Sequence, residues 1–311
     1  ERAAMARKPG IFLRSPSPGP SRESDSEQIA GRGKIQETTM GDTGIEFGTR
    51  SDTGRVRENN EDSSCVAPEI NLFVLSDGMG GQASGEVASR LATETIVAHC
   101  RDAGQNPASP FIGERLEGIS EISNRLVSAV RLANRVVHKA AKRNAAQAGM
   151  GATAVAVMVC GERMSIAHVG DSRAYRLRNG ELERLTQDHS FIAEQVRHGL
   201  MNEQDAANSN LQNVLLRALG AEAEVEVEAS EELLMDGDTI LLCSDGLTHE
   251  LTDAQIAGAL GDTEDPQEAA DRLVDLANQA GGEDNITVIV IRSAPRLVGT
   301  ISKIGKWFKG S

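Results

Sequence analysis

Four short apolar runs in this chain each carry an aspartate at one end. They are Leu72-Phe73-Val74-Leu75-Ser76-Asp77-Gly78, Ile166-Ala167-His168-Val169-Gly170-Asp171, Thr239-Ile240-Leu241-Leu242-Cys243-Ser244-Asp245-Gly246 and, in mirror order, Asp284-Asn285-Ile286-Thr287-Val288-Ile289-Val290. A short apolar run bounded by turn residues reads as a buried strand. Glycine beside a carboxylate lets backbone approach a ligand closely. One Asp-Gly after a strand is only a turn. Four such carboxylates at strand mouths are a stronger constraint, because like charges brought together raise one another's pKa. A fold that gathers them needs a counter-charge, and divalent cations supply it. All-oxygen donors suit Mg²⁺ or Mn²⁺ better than zinc, which recruits His or Cys.

The balance of 32 basic against 46 acidic residues gives a net charge of -14, which disfavours nucleic acid as a partner. A hydrophobic content of 39% in 311 residues is enough for a large core without covalent staples. The cysteines at 65, 100, 160 and 243 form no CxxC pair, and read as reduced thiols. No apolar run approaches the roughly 18 residues that span a bilayer, and Ile11-Phe12-Leu13 is too short for a secretory core. A cytoplasmic protein is expected.

Residues 1–43, with Ser15-Pro16-Ser17-Pro18-Gly19-Pro20-Ser21, read as a disordered tail, and Met40 is a candidate native start. A folded domain is expected over 44–294. Strands are expected at 45–50, 62–67, 70–76, 153–159, 164–169, 173–177, 181–185 and 285–292. Asn179-Gly180 marks a two-residue hairpin turn. Helices are expected at 84–100 and 114–146, the second from a stripe of apolar residues at three- and four-residue spacing. Two more follow the start signals Thr252-x-x-Gln255 and Asp265-Pro266-x-Glu268. Residues 188–220 read as a polar, partly helical flap that stops a helix at Gly199. The alternation of Glu222, Glu224, Glu226 and Glu228 reads as the solvated face of an outer strand. Helices come in pairs between groups of strands, so the expected class is α+β. The architecture is two antiparallel sheets packed face to face with helices on both outer faces, an α-β-β-α sandwich. Residues 295–311 are basic, with Ile301, Ile304, Trp307 and Phe308 on one helical face. They form a frayed end or a membrane- or partner-binding helix.

Other chemistries lack their residues. There is no CxxxxxR, no GxxxxGK[ST] and no GxSxG. The six histidines make no HxH or HxxxH pair, and none is assigned to a metal. His138 reads as solvated and His168 as a satisfied core residue. Taken without its surroundings, Arg57 reads as a surface ion pair with Glu61.

The segments Arg57-Glu58-Asn59-Asn60-Glu61-Asp62, Ser76-Asp77-Gly78-Met79-Gly80-Gly81, Gly151-Ala152-Thr153-Ala154, Val169-Gly170-Asp171-Ser172-Arg173, Ser244-Asp245-Gly246-Leu247 and Glu283-Asp284-Asn285-Ile286-Thr287 match a family in order and spacing over about 45–293. The chain resembles the metal-dependent serine/threonine protein phosphatases of type 2C, especially their bacterial branch.

The resemblance implies two Mn²⁺ or Mg²⁺ ions and a third, weaker one. Asp77 would bridge the pair, the Gly78 carbonyl would complete one site, and Asp245 and Asp284 would serve the other. Glu61 would act through a water, Asp171 would hold the third ion, and Arg57 would grip the substrate phosphate. Hydrolysis of phosphoserine and phosphothreonine by a metal-bridged hydroxide follows, opposing a bacterial Ser/Thr kinase, in a monomer. The rival is a pseudophosphatase that binds phosphoproteins without turnover. The chain departs from the pattern at Met79, where many members carry His, and at His249, where many carry a carboxylate for the third metal.

Overall fold

Alternate residues along the central strands face two different apolar layers, and this alternation sets the architecture. The computed structural model describes residues 12–13, 44–81, 84–106, 108–202, 205–206, 209, 211 and 213–293. Met40 and the basic C-terminal segment lie outside the described residues. Within the stretch read as a tail, β1 (Phe12–Leu13) pairs with Val214–Leu215.

The elements that follow are β2 (Ile45–Asp52), β3 (Asp62–Ala67), β4 (Leu72–Met79), α1 (Ser84–Gln105), α2 (Glu121–Arg143), β5 (Gly151–Ala152), β6 (Ala154–Cys160) and β7 (Arg163–Val169). Next come β8 (Arg173–Arg178), β9 (Glu181–Arg184), α3 (Phe191–Arg197), β10 (Val214–Leu215) and β11 (Glu228–Leu233). The chain closes with β12 (Thr239–Cys243), α4 (Asp245–Glu250), α5 (Asp253–Gly261), α6 (Pro266–Ala280) and β13 (Ile286–Ser293). The first sheet runs β11-β7-β6-β4-β3, with β5 beside β4. The second runs β2-β13-β12-β8-β9. Every pairing is antiparallel.

On β4, Leu72 and Val74 face α1 and α2, where they meet Ile96, Leu126 and Val130. Phe73 and Leu75 face the other way, into a layer shared with Ile240, Leu242, Ile289 and Ile291 of the second sheet. Leu241, Val288 and Val290 turn outward to α5 and α6, against Ile256, Leu273 and Val274. The expected α-β-β-α sandwich is the observed fold. Among the described residues no helix is long and apolar enough to cross a membrane.

Several boundaries shift for local reasons. The helix expected from 114 begins at 121, because the Ser120 side chain caps it by accepting the Ser123 N–H. The Asn124 side chain then ties Leu116 through its N–H (2.7 Å) and carbonyl (3.1 Å) into a loop. The Asn179-Gly180 turn has both φ values positive, 53° and 83°, as a type I′ hairpin requires. The capping box at Thr252 and Gln255 forms, and Pro266 opens α6 behind an Asp265 cap. The glutamate alternation is a correction: only Glu228 lies in a strand. Residues 222 and 223 are held as loop by Asn134, whose amide donates to both carbonyls. His138 is also corrected. It is half-buried, with Nδ1 2.9 Å from the Gly220 carbonyl oxygen. Among the described flap residues, α3 is a capped helix, and Gly199 follows it at φ +67°.

Candidate active site

In an antiparallel sheet the end of one strand lies beside the start of its neighbour. Asp77 and Gly78 close β4, and Glu61 and Asp62 open β3, with Asp62 directly opposite Asp77. Asp171 follows β7, which runs parallel to β4 because β6 separates them. In the second sheet Asp245 follows β12, and Asp284 precedes its partner β13. The two sheets thus bring their acidic strand ends to one mouth. Asp171, Asp245, Asp284 and Arg57 line a common cavity there of about 800 Å³, bordered by α3 and Leu216, whereas Asp77, Gly78 and Glu61 are not among its lining residues.

Glycines make the close approaches possible. A Cβ on Gly78 would lie 2.1 Å from the Gly85 carbonyl oxygen and 2.6 Å from that of Glu61. A Cβ on Gly246 would lie 2.2 Å from the Asn285 carbonyl oxygen. Gly85, at the start of α1, leaves room for the Glu61 carboxylate, which would sit 2.7–2.9 Å from a Cβ there. The positive end of the helix dipole favours an acid in that place.

Asn285 ties the mouth together. Its Oδ1 accepts the Glu61 N–H at 2.8 Å, and its amide donates to the carbonyls of Thr53 and Asn59 at 2.9 Å. Ser244 donates to Asp62 at 2.8 Å across the gap between the sheets. Arg57 donates from Nη2 to Asp284 Oδ2 at 2.8 Å, so its ion pair is with Asp284 and not with Glu61.

Asp62, Asn285, Ser244 and Gly85 carry structural roles at the site that sequence reasoning assigned to none of them. Asp62 and Asn285 stand in the very segments that gave the resemblance. Gly85 left no signal, because a glycine four residues past Gly81 has no pattern of its own.

Burial, and then the charges of Asp245 and Asp284, push the Asp62 carboxyl up to about 7 against hydrogen bonds from Ser244 and Thr287. Burial is the main cause, and the smaller contributions of Asp245 and Asp284 show that carboxylates of both sheets lie near one another. The donor set is all oxygen, and Gly78 leaves its carbonyl unshielded by any side chain. The residues fit hard divalent cations.

A second group lies at the flap base. Among the described residues, His168, His189 and Glu228 offer ligand atoms within 4.8 Å of one another. Asp77, Asp245 and Asp284 do not come so close as a trio. The hydrogen bonds of the histidine group favour a brace over a metal site. His189 Nδ1 accepts the Gly170 N–H at 3.1 Å, so the neutral ring carries its proton on Nε2, 3.2 Å from Glu228. Arg217 adds a cation 3.3 Å from that nitrogen. His168 stacks on the His189 ring at 4.7 Å and faces the Gln187 carbonyl at 2.8 Å through Nε2. Burial, then the neighbouring His168, pushes His189 down to about 4.

Beside it, Arg173 grips Asp188 through Nε and Nη2 at 2.7–3.2 Å, and reaches the Tyr175 hydroxyl at 3.0 Å. Burial opposes the guanidinium charge, but Asp188 outweighs it and holds the proton firmly. His249 lines the cavity with Nδ1 3.9 Å from Asp245.

Residues 54–284 match the family model described as "Protein phosphatase 2C". The "Serine/threonine phosphatase stp" of Listeria innocua is 37% identical over 78% of this chain and 93% of its own length. The "Serine/threonine protein phosphatase PstP" of Mycobacterium tuberculosis is 36% identical over 83% of this chain and 48% of its own. The crystal structure of the M. tuberculosis serine/threonine phosphatase PstP/Ppp superposes with a TM-score of 0.71 at 36% identity, over 80% of this chain and 99% of the other. A crystal structure of the PstP catalytic domain in complex with two manganese ions gives 0.68 at 37% identity, over 80% and 98%.

Proposed function

The chain belongs to the protein phosphatase 2C family, and on that premise we propose that its cavity hydrolyses phosphoserine and phosphothreonine in proteins with Mn²⁺ or Mg²⁺. The observation that carries this reading is the convergence of acidic strand ends from both sheets on one cavity, with Arg57 beside Asp284.

Asp77, the Gly78 carbonyl, Asp245 and Asp284 would hold two cations, Glu61 would act through a water, and Asp171 would hold a third. Bound divalent cations supply Lewis acidity and a water more easily ionised than bulk water. Arg57 presents a planar fork of donors that matches two oxygens of a phosphate. Its present partner Asp284 orients it toward the cavity. Met79 can neither give nor take a proton, so the residues at the end of β4 leave protonation of the departing serine or threonine oxygen to solvent. Charge spreads over the equatorial phosphate oxygens in such a transfer, and Arg57 is the side chain placed to meet it.

The natural substrates are phosphoproteins modified by a Ser/Thr kinase, with the enzyme acting as a monomer. The basic segment 295–311 is a candidate tether to a membrane or partner. A pseudophosphatase is disfavoured by the presence of Asp77, Asp245, Asp284 and Arg57 together. The test is hydrolysis of p-nitrophenyl phosphate and of a phosphothreonine peptide with Mn²⁺. Turnover should vanish with chelator and fall by orders of magnitude in Asp77→Ala and Asp245→Ala while both remain folded. Near wild-type kcat in either variant refutes the assignment.

A further inference from the structure

Thr153 occupies the single-residue break between β5 and β6, and is completely buried. Its backbone N–H donates to the Asp77 carbonyl at 2.8 Å. Its hydroxyl accepts the Asp77 N–H at 2.9 Å, and its carbonyl accepts from the Ser76 hydroxyl at 2.6 Å. A hydroxyl has one proton and two lone pairs. With one lone pair given to Asp77, the Thr153 oxygen still shares a hydrogen bond with the Ser172 hydroxyl at 2.7 Å. The other face of the side chain meets Gly170, where a Cβ would fall 2.6 Å from Thr153 Cγ2. Gly170 has φ +104°, so glycine suits that position twice over. One side chain therefore touches the strand end that carries Asp77 and the turn that carries Asp171, and both aspartates are buried.

We propose that Thr153 is a positioning residue that fixes the Asp77 and Asp171 carboxylates relative to each other, through Ser172, and thereby sets the affinity of the weaker cation site. This rests on the metal assignment above. A threonine that merely filled a strand break would need its shape but not its hydroxyl. Valine keeps the shape, and leaves the Asp77 N–H and Ser172 without their shared oxygen. Serine keeps the oxygen and removes the methyl.

The test is a Mn²⁺ titration of the full chain, with free Mn²⁺ followed by electron paramagnetic resonance and folding by circular dichroism. The weak class of sites should lose about 10- to 100-fold in affinity in Thr153→Val, the range seen when an outer partner of a ligand is removed. Thr153→Ser should restore it. Ser172→Ala, which keeps the Asp77 contact, should weaken the same class and spare the tight one. A folded Thr153→Val that binds both classes as wild type does overturns the proposal. So does Ser172→Ala with an unchanged weak class, which decides the matter if the valine variant does not fold. Wild-type protein that takes up no Mn²⁺, or Asp77→Asn that binds it normally, instead defeats the metal assignment and the proposal with it.

Discussion

Gly85→Ala should separate stability from metal binding. The new methyl would stand 2.7, 2.8 and 2.9 Å from Cδ, Oε1 and Oε2 of Glu61, well inside contact distance. Those atoms end a flexible side chain, so the carboxylate can swing away at little cost to the fold. The helix itself gains, since replacing glycine by alanine in a helix favours folding by up to about 1 kcal/mol. The expected variant is therefore as stable as wild type or slightly more so in urea. It has lost the place that the start of α1 gave to the Glu61 carboxylate. If Glu61 steadies a water on the cations, Mn²⁺ affinity should fall about 10- to 100-fold, or roughly 1.4–2.8 kcal/mol.

Isothermal titration reads that loss directly, and Glu61→Ala should reproduce it. The double variant should be no worse than either single one, because both changes remove one interaction. Gly78→Ala is the contrast. Its methyl meets backbone oxygens at 2.1 and 2.6 Å, which cannot rotate aside, so it should destabilise the fold itself. Wild-type Mn²⁺ affinity in Gly85→Ala, or additive losses in the double variant, would refute the role given to Glu61.

Arg57→Ala should lower kcat/KM for a phosphopeptide by about 10²- to 10³-fold, with Mn²⁺ affinity changed far less. Arg57→Lys should recover only part, since an ammonium lacks the planar fork. Asp188→Ala removes the carboxylate that the partly buried Arg173 guanidinium grips and should cost about 1–3 kcal/mol in urea unfolding. His189 has a folded pKa of about 4, below its ordinary value of 6.5. The unfolded chain therefore binds the extra proton between those limits, and this contribution to stability is present above pH 6.5 and lost as pH falls toward 4. Unfolding curves at pH 7.5 and 5.5 should converge more closely for His189→Gln than for wild type.

The sandwich was legible because its strands alternate or run apolar over five to eight residues, and because Asn179-Gly180, Thr252-x-x-Gln255 and Asp265-Pro266 are local signals that act locally. The glutamate alternation misled for the opposite reason. A period of two is compatible with a strand, but Asn134 on a distant helix claims the carbonyls of residues 222 and 223. His138 is likewise decided by Gly220, which is remote in sequence. At the site, Asp77, Asp171, Asp245 and Asp284 announced themselves by position at strand ends. Asp62, Ser244 and Asn285 did not, because their work is to join one sheet to the other, and no spacing along the chain encodes a contact across 182 or 224 residues.

The proposed chemistry sits on a seam. Asp77 comes from one sheet, Asp245 and Asp284 come from the other, and what sets their spacing is the greasy filling of Phe73, Leu75, Ile240 and Ile289 between the layers. On that assignment neither slab alone owns a complete set of cation ligands. A repacking deep in that filling, well away from any phosphate, would be felt as a change in the gap between charges. Drift in this filling should therefore register in metal uptake before it registers as unfolding.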